Sequence, residues 1–388
     1  MGNRVPYLNA RLQGHTTTIF AEMSALAVAT KSINLGQGFP DADGPDEIKQ
    51  WAVEAIAAGH NQYPPGKGIP ELRGAVGAHE RRCYGLDFDP EDEILVTAGA
   101  TEAVAATLIS LCEPGDEVVM FEPFYDAYAA GAAMACAQRR VVPLHAPSWS
   151  FDPDDLTAAI TPRTRLVLVN SPHNPTGKVF SRAELELIAA VCIEHDLIAV
   201  TDEVYEHLVY DGEHIPLATL TGMRERTVTI SSAGKTFSFT GWKIGWVCAP
   251  PEILVAIRTA KQFLTYVNGA PFQYAIAAAL DAGDRLIEDV AVPLRARRSQ
   301  LADGLSSLGF PVIAPSGSYF ITTDVAPLGY ATGVEFARML PERCGVVAIP
   351  SSVFYDDPVA GRSFVRWAFC KREEVLNEAL HRMATVFG

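Results

Sequence analysis

The stretch Arg165-Leu166-Val167-Leu168-Val169-Asn170-Ser171-Pro172-His173-Asn174-Pro175-Thr176-Gly177 decides the fold. Its first half is an apolar run that stops at Asn170. Its second half is built on Asn, Pro and Gly, the residues of a tight turn. A run without polar alternation predicts a strand buried on both faces, as in parallel sheets. Working outward, similar runs recur at 94–98, 117–121, 197–201, 227–230 and 244–249. Helical patterns lie between them, at 101–112 and 182–195. The second opens with a capping box, Ser181 followed by Glu184. Strands alternating with helices predict an α/β fold with a large, mostly parallel sheet.

After about Pro293 the pattern changes. A long polar-faced helix is predicted over 295–308, then short strands at 312–313, 319–322, 346–349 and 364–369, and a last helix over 373–386. This predicts a smaller α+β domain. The expected division is an N-terminal arm with part of the small domain (1–44), a large domain (45–292) and a small C-terminal domain (293–388). The length of 388 residues suits two such cores.

Composition narrows the function. A formal net charge of −15 excludes an extended nucleic-acid face, which has to be basic. It leaves room for small anions held by helix N-termini or a few local cations. Seven cysteines are scattered with no C-x-x-C pair, as expected of reduced thiols in a cytoplasm. No secretory signal and no membrane-spanning run is expected. No H-x-x-x-H or mixed Cys/His cluster is present, so no structural zinc is expected.

In open α/β sheets ligands collect at the carboxyl ends of the strands. Four such ends here carry polar groups. They are Gly99-Ala100-Thr101 at a helix start, Asn170 with the turn at Asn174, Asp202-Glu203-Val204-Tyr205, and Ser231-Ser232-Ala233-Gly234-Lys235-Thr236. Singly each has a bland reading: a loop lysine, a surface acid, a turn, a tight connection. Together they offer an anion site, an amide, a carboxylate, a phenol and an amine where a ligand should lie. Gly234-Lys235-Thr236 also resembles the end of a phosphate-binding nucleotide loop. That loop needs a glycine at position 229, where this chain has Thr229, so nucleotide hydrolysis is the distant alternative.

Asn34–Pro40, Asn61-Gln62-Tyr63, Ser171–Gly177, Thr201–Tyr205, Ser232–Lys235, Gly241–Trp246 and Val365-Arg366-Trp367 together resemble the fold-type I, class I/II aminotransferases. Within these the chain is similar to the kynurenine aminotransferase and glutamine transaminase branch, and to actinobacterial N-succinyldiaminopimelate aminotransferases. The resemblance spans nearly the whole chain. It implies a homodimeric, cytoplasmic enzyme that moves an amino group from an L-amino acid to a 2-oxo acid, 2-oxoglutarate by first choice. Its cofactor would be pyridoxal 5′-phosphate.

The resemblance also implies roles. Lys235 would be catalytic and hold the cofactor as a Schiff base, then shuttle the α-proton. Asp202 would pair with the pyridine nitrogen. Tyr205 and Asn174 would bind the phenolic oxygen, and Tyr125 would stack on the ring. Ala100, Thr101, Ser232 and Lys243 would cup the phosphate. The wider family has arginine at the position of Lys243, and the kynurenine branch shares the lysine. Tyr63 would reach the phosphate of the neighbouring subunit, or else pack beside Pro64 and Pro65. Arg366 would grip the substrate carboxylate, with a structural ion pair as the bland alternative. Gly38, Phe20 and Asn174 would line the substrate site, and 266–271 the partner's pocket. N-succinyl-LL-diaminopimelate is the first choice of donor. Kynurenine, glutamine, methionine or an aromatic amino acid is the rival, with β-lyase activity on cysteine conjugates possible by the same chemistry. A cofactor-sensing regulator would need a DNA-binding domain, for which there is neither spare length nor a basic face.

Overall fold

A computed structural model describes residues 7–15 and 19–388. Its strands are β1 (Ile33–Asn34), β2 (Ile94–Thr97), β3 (Glu117–Glu122), β4 (Gln138–Pro143), β5 (Thr164–Asn170), β6 (Ile198–Asp202), β7 (Thr227–Ser232), β8 (Gly245–Cys248), β9 (Val312–Ile313), β10 (Phe320–Asp324), β11 (Val346–Val347), β12 (Ile349–Pro350) and β13 (Phe364–Ala368). The main sheet has the order β2-β8-β7-β6-β5-β3-β4. Only β8 runs antiparallel to its neighbours.

Both faces of this sheet are covered, which is why its strands read as unbroken apolar runs. Leu166, Leu168, Val200, Val228 and Ile230 point to the side of the helix Gly99–Leu111. Val167, Val169 and Ala199 point to the side of the helix Arg182–Glu194. The predicted capping box of that helix is formed: Ser181 accepts from the Glu184 amide, and Glu184 accepts in return.

Register brings the polar strand ends into one row. Asn170 pairs with Asp202, Asp202 with Ile230, Ser232 with Gly245, and Gly245 with Thr97. Five strands thus end on the same edge, and the ligand-bearing segments leave from it.

A second sheet, β12-β13-β10-β9, is antiparallel, and β13 carries Arg366 opposite Thr322 and Ile349. β1 pairs in parallel with β11, joining the N-terminal segment to the C-terminal part of the chain.

Three expectations are corrected. The run at 346–349 splits into β11 and β12, which pair with different sheets. The long helix begins ten residues earlier, as Arg285–Ser307, and passes through Pro293. Pro293 is on its exposed face, where solvent can bond the carbonyl that the ring frees. β4 was not expected, because Gln138-Arg139-Arg140 is polar; it is an edge strand, where charge is tolerated. Among the described residues no helix is long and apolar enough to cross a membrane.

Candidate active site

A cavity of about 440 Å³ opens at the row of strand ends. Its wall includes Phe20, Gly38, Ala100, Thr101, Tyr125, Asn174, Asp202, Tyr205, Ser232, Lys235, Lys243 and Arg366. Segments distant in sequence therefore meet in one place. Of the residues expected to serve the site, Tyr63 and the segment 266–271, both assigned to a partner's cavity, lie outside this wall.

Lys235 sits in the short helix Ala233–Thr236, directly after β7. Its ε-amine faces the cavity and is surrounded by protein. Burial pushes its pKa down to about 8, so the neutral, nucleophilic amine is far more accessible near neutral pH than in an ordinary lysine. The amine donates to the Tyr319 hydroxyl at 2.7 Å and to the Gly38 carbonyl at 3.4 Å. Tyr319 in turn donates to Gly38.

Asp202 ends β6 and is 5% exposed. Burial raises its pKa to about 6, against a hydrogen bond of 2.6 Å from the Tyr128 hydroxyl that lowers it. No lysine or arginine forms an ion pair with it among the described residues. A buried carboxylate with one hydroxyl donor is poised to accept a proton or a cationic partner. Asn170 steadies the backbone here, donating to the Asp202 carbonyl at 2.8 Å and accepting from the Asn174 amide at 2.8 Å.

Arg366 is 1% exposed and pairs with no carboxylate among the described residues, so the ion-pair alternative fails. One nitrogen donates to Asn174 Oδ1 and another to the Gly36 carbonyl, both at 2.8 Å. Its Nε has no partner. The rings of Phe320, Phe354 and Phe20 surround the guanidinium at 4.0, 4.9 and 5.2 Å. Burial pulls its pKa down to about 10, which still leaves it charged. A buried guanidinium held this way, with a free N–H, calls for an anion.

The third feature is an anion cradle. The helix Gly99–Leu111 has no side-chain cap at its start, so the Ala100 and Thr101 region offers free amides. Gly99 has φ of +73°, and a side chain there would stand 3.2 Å from Lys243 Nζ, so the lysine reaches across the helix start. Gly245 backs this turn closely: a Cβ on it would lie 2.7 Å from the Gly99 backbone.

Gly38 borders the cavity, and the fold places a steric constraint on it as well. A side chain there would strike the Phe320 ring at 2.5 Å, so its bareness lets β10 approach. Tyr63 is 82% exposed and meets Tyr266 edge-on at 5.7 Å. Residues 266–271 likewise lie outside this chain's cavity.

Two residues were missed. Tyr128 follows Tyr125 by one helical turn, a spacing that could have placed it on the same face. Tyr319 reads in sequence as strand core, and only the fold brings its hydroxyl to Lys235.

The residues present fit pyridoxal phosphate. The cavity wall has an amine, an unpaired carboxylate, an amide-and-lysine cradle for a phosphate and a guanidinium with a spare N–H for a carboxylate.

Comparison with known proteins places this arrangement. The family model described as aminotransferase class I and II matches residues 30–383. The chain is 52% identical to the probable N-succinyldiaminopimelate aminotransferase DapC of Mycobacterium tuberculosis, over 97% of this chain and 98% of the other. The solved structure of the M. tuberculosis N-succinyldiaminopimelate aminotransferase superposes with a TM-score of 0.95, over 97% of this chain and 99% of the other. The methionine aminotransferase of Escherichia coli is 38% identical over 95% of each chain. Kynurenine–oxoglutarate transaminase 3 of Mus musculus is 36% identical over 95% of this chain and 88% of its own length.

Proposed function

The chain belongs to aminotransferase class I and II, and on that footing we propose a pyridoxal-phosphate enzyme whose amine is Lys235 and whose preferred donor is N-succinyl-LL-diaminopimelate. The observation that carries the site reading is one half-buried lysine, its pKa lowered to about 8, in a cavity shared with Asp202 and Arg366. Cofactor identity rests on the fit of these residues and on the family.

Pyridoxal phosphate, when bound, supplies an aldehyde that takes up amino groups and a ring that withdraws electrons from the substrate α-carbon. The protein does the rest. Asp202 would keep a proton on the ring nitrogen. Asn174 and Tyr205 would donate to the ring's oxygen. Tyr125 would cover a ring face. Ala100, Thr101, Ser232 and Lys243 would hold the phosphate. Arg366, oriented by Asn174 and Gly36, binds the substrate carboxylate and so aims the α-C–H bond at Lys235. Lys235 Nζ takes that proton and returns it, with the Tyr319 hydroxyl holding the amine in place. Phe20, Phe320 and Phe354 exclude water around the guanidinium.

We assign residues 45–292 to a large cofactor-binding domain, with 1–44 and 293–388 forming the smaller one. The pairing of β1 with β11 supports this. The active unit in this reading is a homodimer. Exposed Tyr63 and Tyr266 meet edge-on as an apolar patch suited to a second copy, with Tyr63 reaching the partner's phosphate site.

The donor assignment rests on identity to the M. tuberculosis relative along the whole chain. A second reading, a methionine or aromatic donor, is favoured by the Phe20 and Tyr125 lining. A half-reaction panel decides between them, monitoring loss of the cofactor's visible absorbance with each donor. Succinyl-diaminopimelate should convert the enzyme fastest. An inert response there, with rapid conversion by methionine, overturns the donor assignment. Release of pyruvate and ammonia from a β-chloro amino acid, without an oxo-acid acceptor, would reveal lyase activity.

A further inference from the structure

Behind Asp202, outside the cavity, lies a buried polar cluster that the aminotransferase chemistry does not use. His79 and Glu80 come from the helix Pro70–Tyr84; Glu206 and His207 follow β6. His79 Nε2 and His207 Nε2 are 3.2 Å apart, and Glu206 Oε2 is 3.9 Å from each. The circle through these three atoms has a radius of about 2.1 Å, the length of a zinc bond to an imidazole nitrogen or a carboxylate oxygen. The geometry points to a site for a divalent cation of the zinc type, held by His79, Glu206 and His207 and open to water at a further position.

Three further observations support it. First, the ligands are already oriented by their neighbours, as metal ligands are. Tyr84 donates to Glu206 Oε2 at 2.6 Å and Ser231 donates to Oε1 at 2.5 Å. Second, Glu80 is 1% exposed and neither of its carboxyl oxygens has a partner. Its neighbouring donor, the Trp246 indole, is itself unpaired and could serve one oxygen at most. A buried orphan of this kind signals a missing water or ion. Third, Glu206 has only His79 and His207 as ion-pair partners among the described residues, so a dication held by the neutral imidazoles would take over the charge balance at this carboxylate.

Binding at His79 Nε2 leaves that ring's proton on Nδ1, where Cys83 Sγ at 3.6 Å can accept it. Arg82, 3.2 Å from the same Nδ1, must then turn away. It already touches Asp284 and the Leu280 carbonyl, and these can receive it. A cation here would clamp the helix Pro70–Tyr84 to the segment that carries Asp202 and Tyr205. Sequence spacing hides the site, because the two histidines are 128 residues apart.

The test uses the holoenzyme after chelator treatment, titrated with Zn²⁺ by calorimetry and with Co²⁺ by visible absorption. Wild type should take up one equivalent per chain, with a four- or five-coordinate cobalt spectrum free of a thiolate band, and its melting temperature should rise on zinc addition. His79→Gln and His207→Gln should each weaken binding at least tenfold, and Tyr84→Phe about tenfold through the lost outer hydrogen bond. If a histidine variant fails to fold, the other variants and the wild-type stoichiometry still decide. Wild type that takes up less than one equivalent, a thiolate band, or equal uptake in the wild type and the folded variants overturns the proposal.

Discussion

Asp202 concentrates the residue-scale argument. Its carboxyl holds a proton up to about pH 6 in the folded chain, against 3.8 for an ordinary aspartate, because it is buried. Between those values the folded chain binds more protons than the unfolded one. This one group therefore makes the cofactor-free protein lose stability as pH rises through that window. Asp202→Asn removes the effect. The unfolding free energy of the variant minus that of wild type should climb by roughly 2 kcal/mol from about pH 4 to about pH 6. Denaturant titration of the apoprotein at several pH values reads it, and a flat difference contradicts the assigned environment.

Lys235 and Tyr319 give a second test at this scale. Tyr319→Phe leaves the buried amine without its hydroxyl acceptor, which disfavours the charged form. The pH at which Lys235 becomes reactive towards an acylating probe should fall below about 8, and turnover should drop about tenfold. An unchanged reactivity profile would show that the hydroxyl only fills space. Arg366→Lys keeps the charge and loses the planar fork. It should raise KM for donor and acceptor alike by roughly a hundredfold while folding is preserved.

The elements explain what could be read in advance. Runs such as Leu166–Val169 and Val228–Ile230 announce buried strands, because both faces of the sheet are covered. Chemistry placed just after each run, at Asn170, Asp202, Ser232 and Lys235, was therefore legible. β4 was not, because an edge strand tolerates Arg139 and Arg140. Tyr319 was not, because nothing local separates a core tyrosine from one that meets a lysine 84 residues away. Gly38 was expected to line the substrate site, but the ring that requires its bareness, Phe320, belongs to a distant strand. The tight contact between Gly245 and Gly99 is the sharpest prediction here. Gly245→Ala should push the helix start away from Lys243 and weaken cofactor binding at least tenfold, read by equilibrium dialysis, with circular dichroism reporting an intact fold. Ser181→Ala, at the capping box remote from the cavity, should lose about 1 kcal/mol of stability and leave cofactor affinity unchanged.

For the whole molecule, the two sheets divide the labour. The main sheet provides the lysine, the carboxylate and the anion cradle; the smaller one provides the arginine. The dimer reading adds that each cavity borrows Tyr63 from a second copy. Tyr63→Phe should therefore weaken cofactor retention without altering subunit association, as measured by sedimentation. The claim on which all of this depends is the bond between Lys235 and the cofactor. Its most direct test is borohydride reduction of the purified enzyme, followed by digestion and mass spectrometry. One pyridoxyl-phosphate mass should appear on the peptide containing Lys235 and vanish in Lys235→Ala. A modification on another lysine, or none in an enzyme that transaminates, would contradict it.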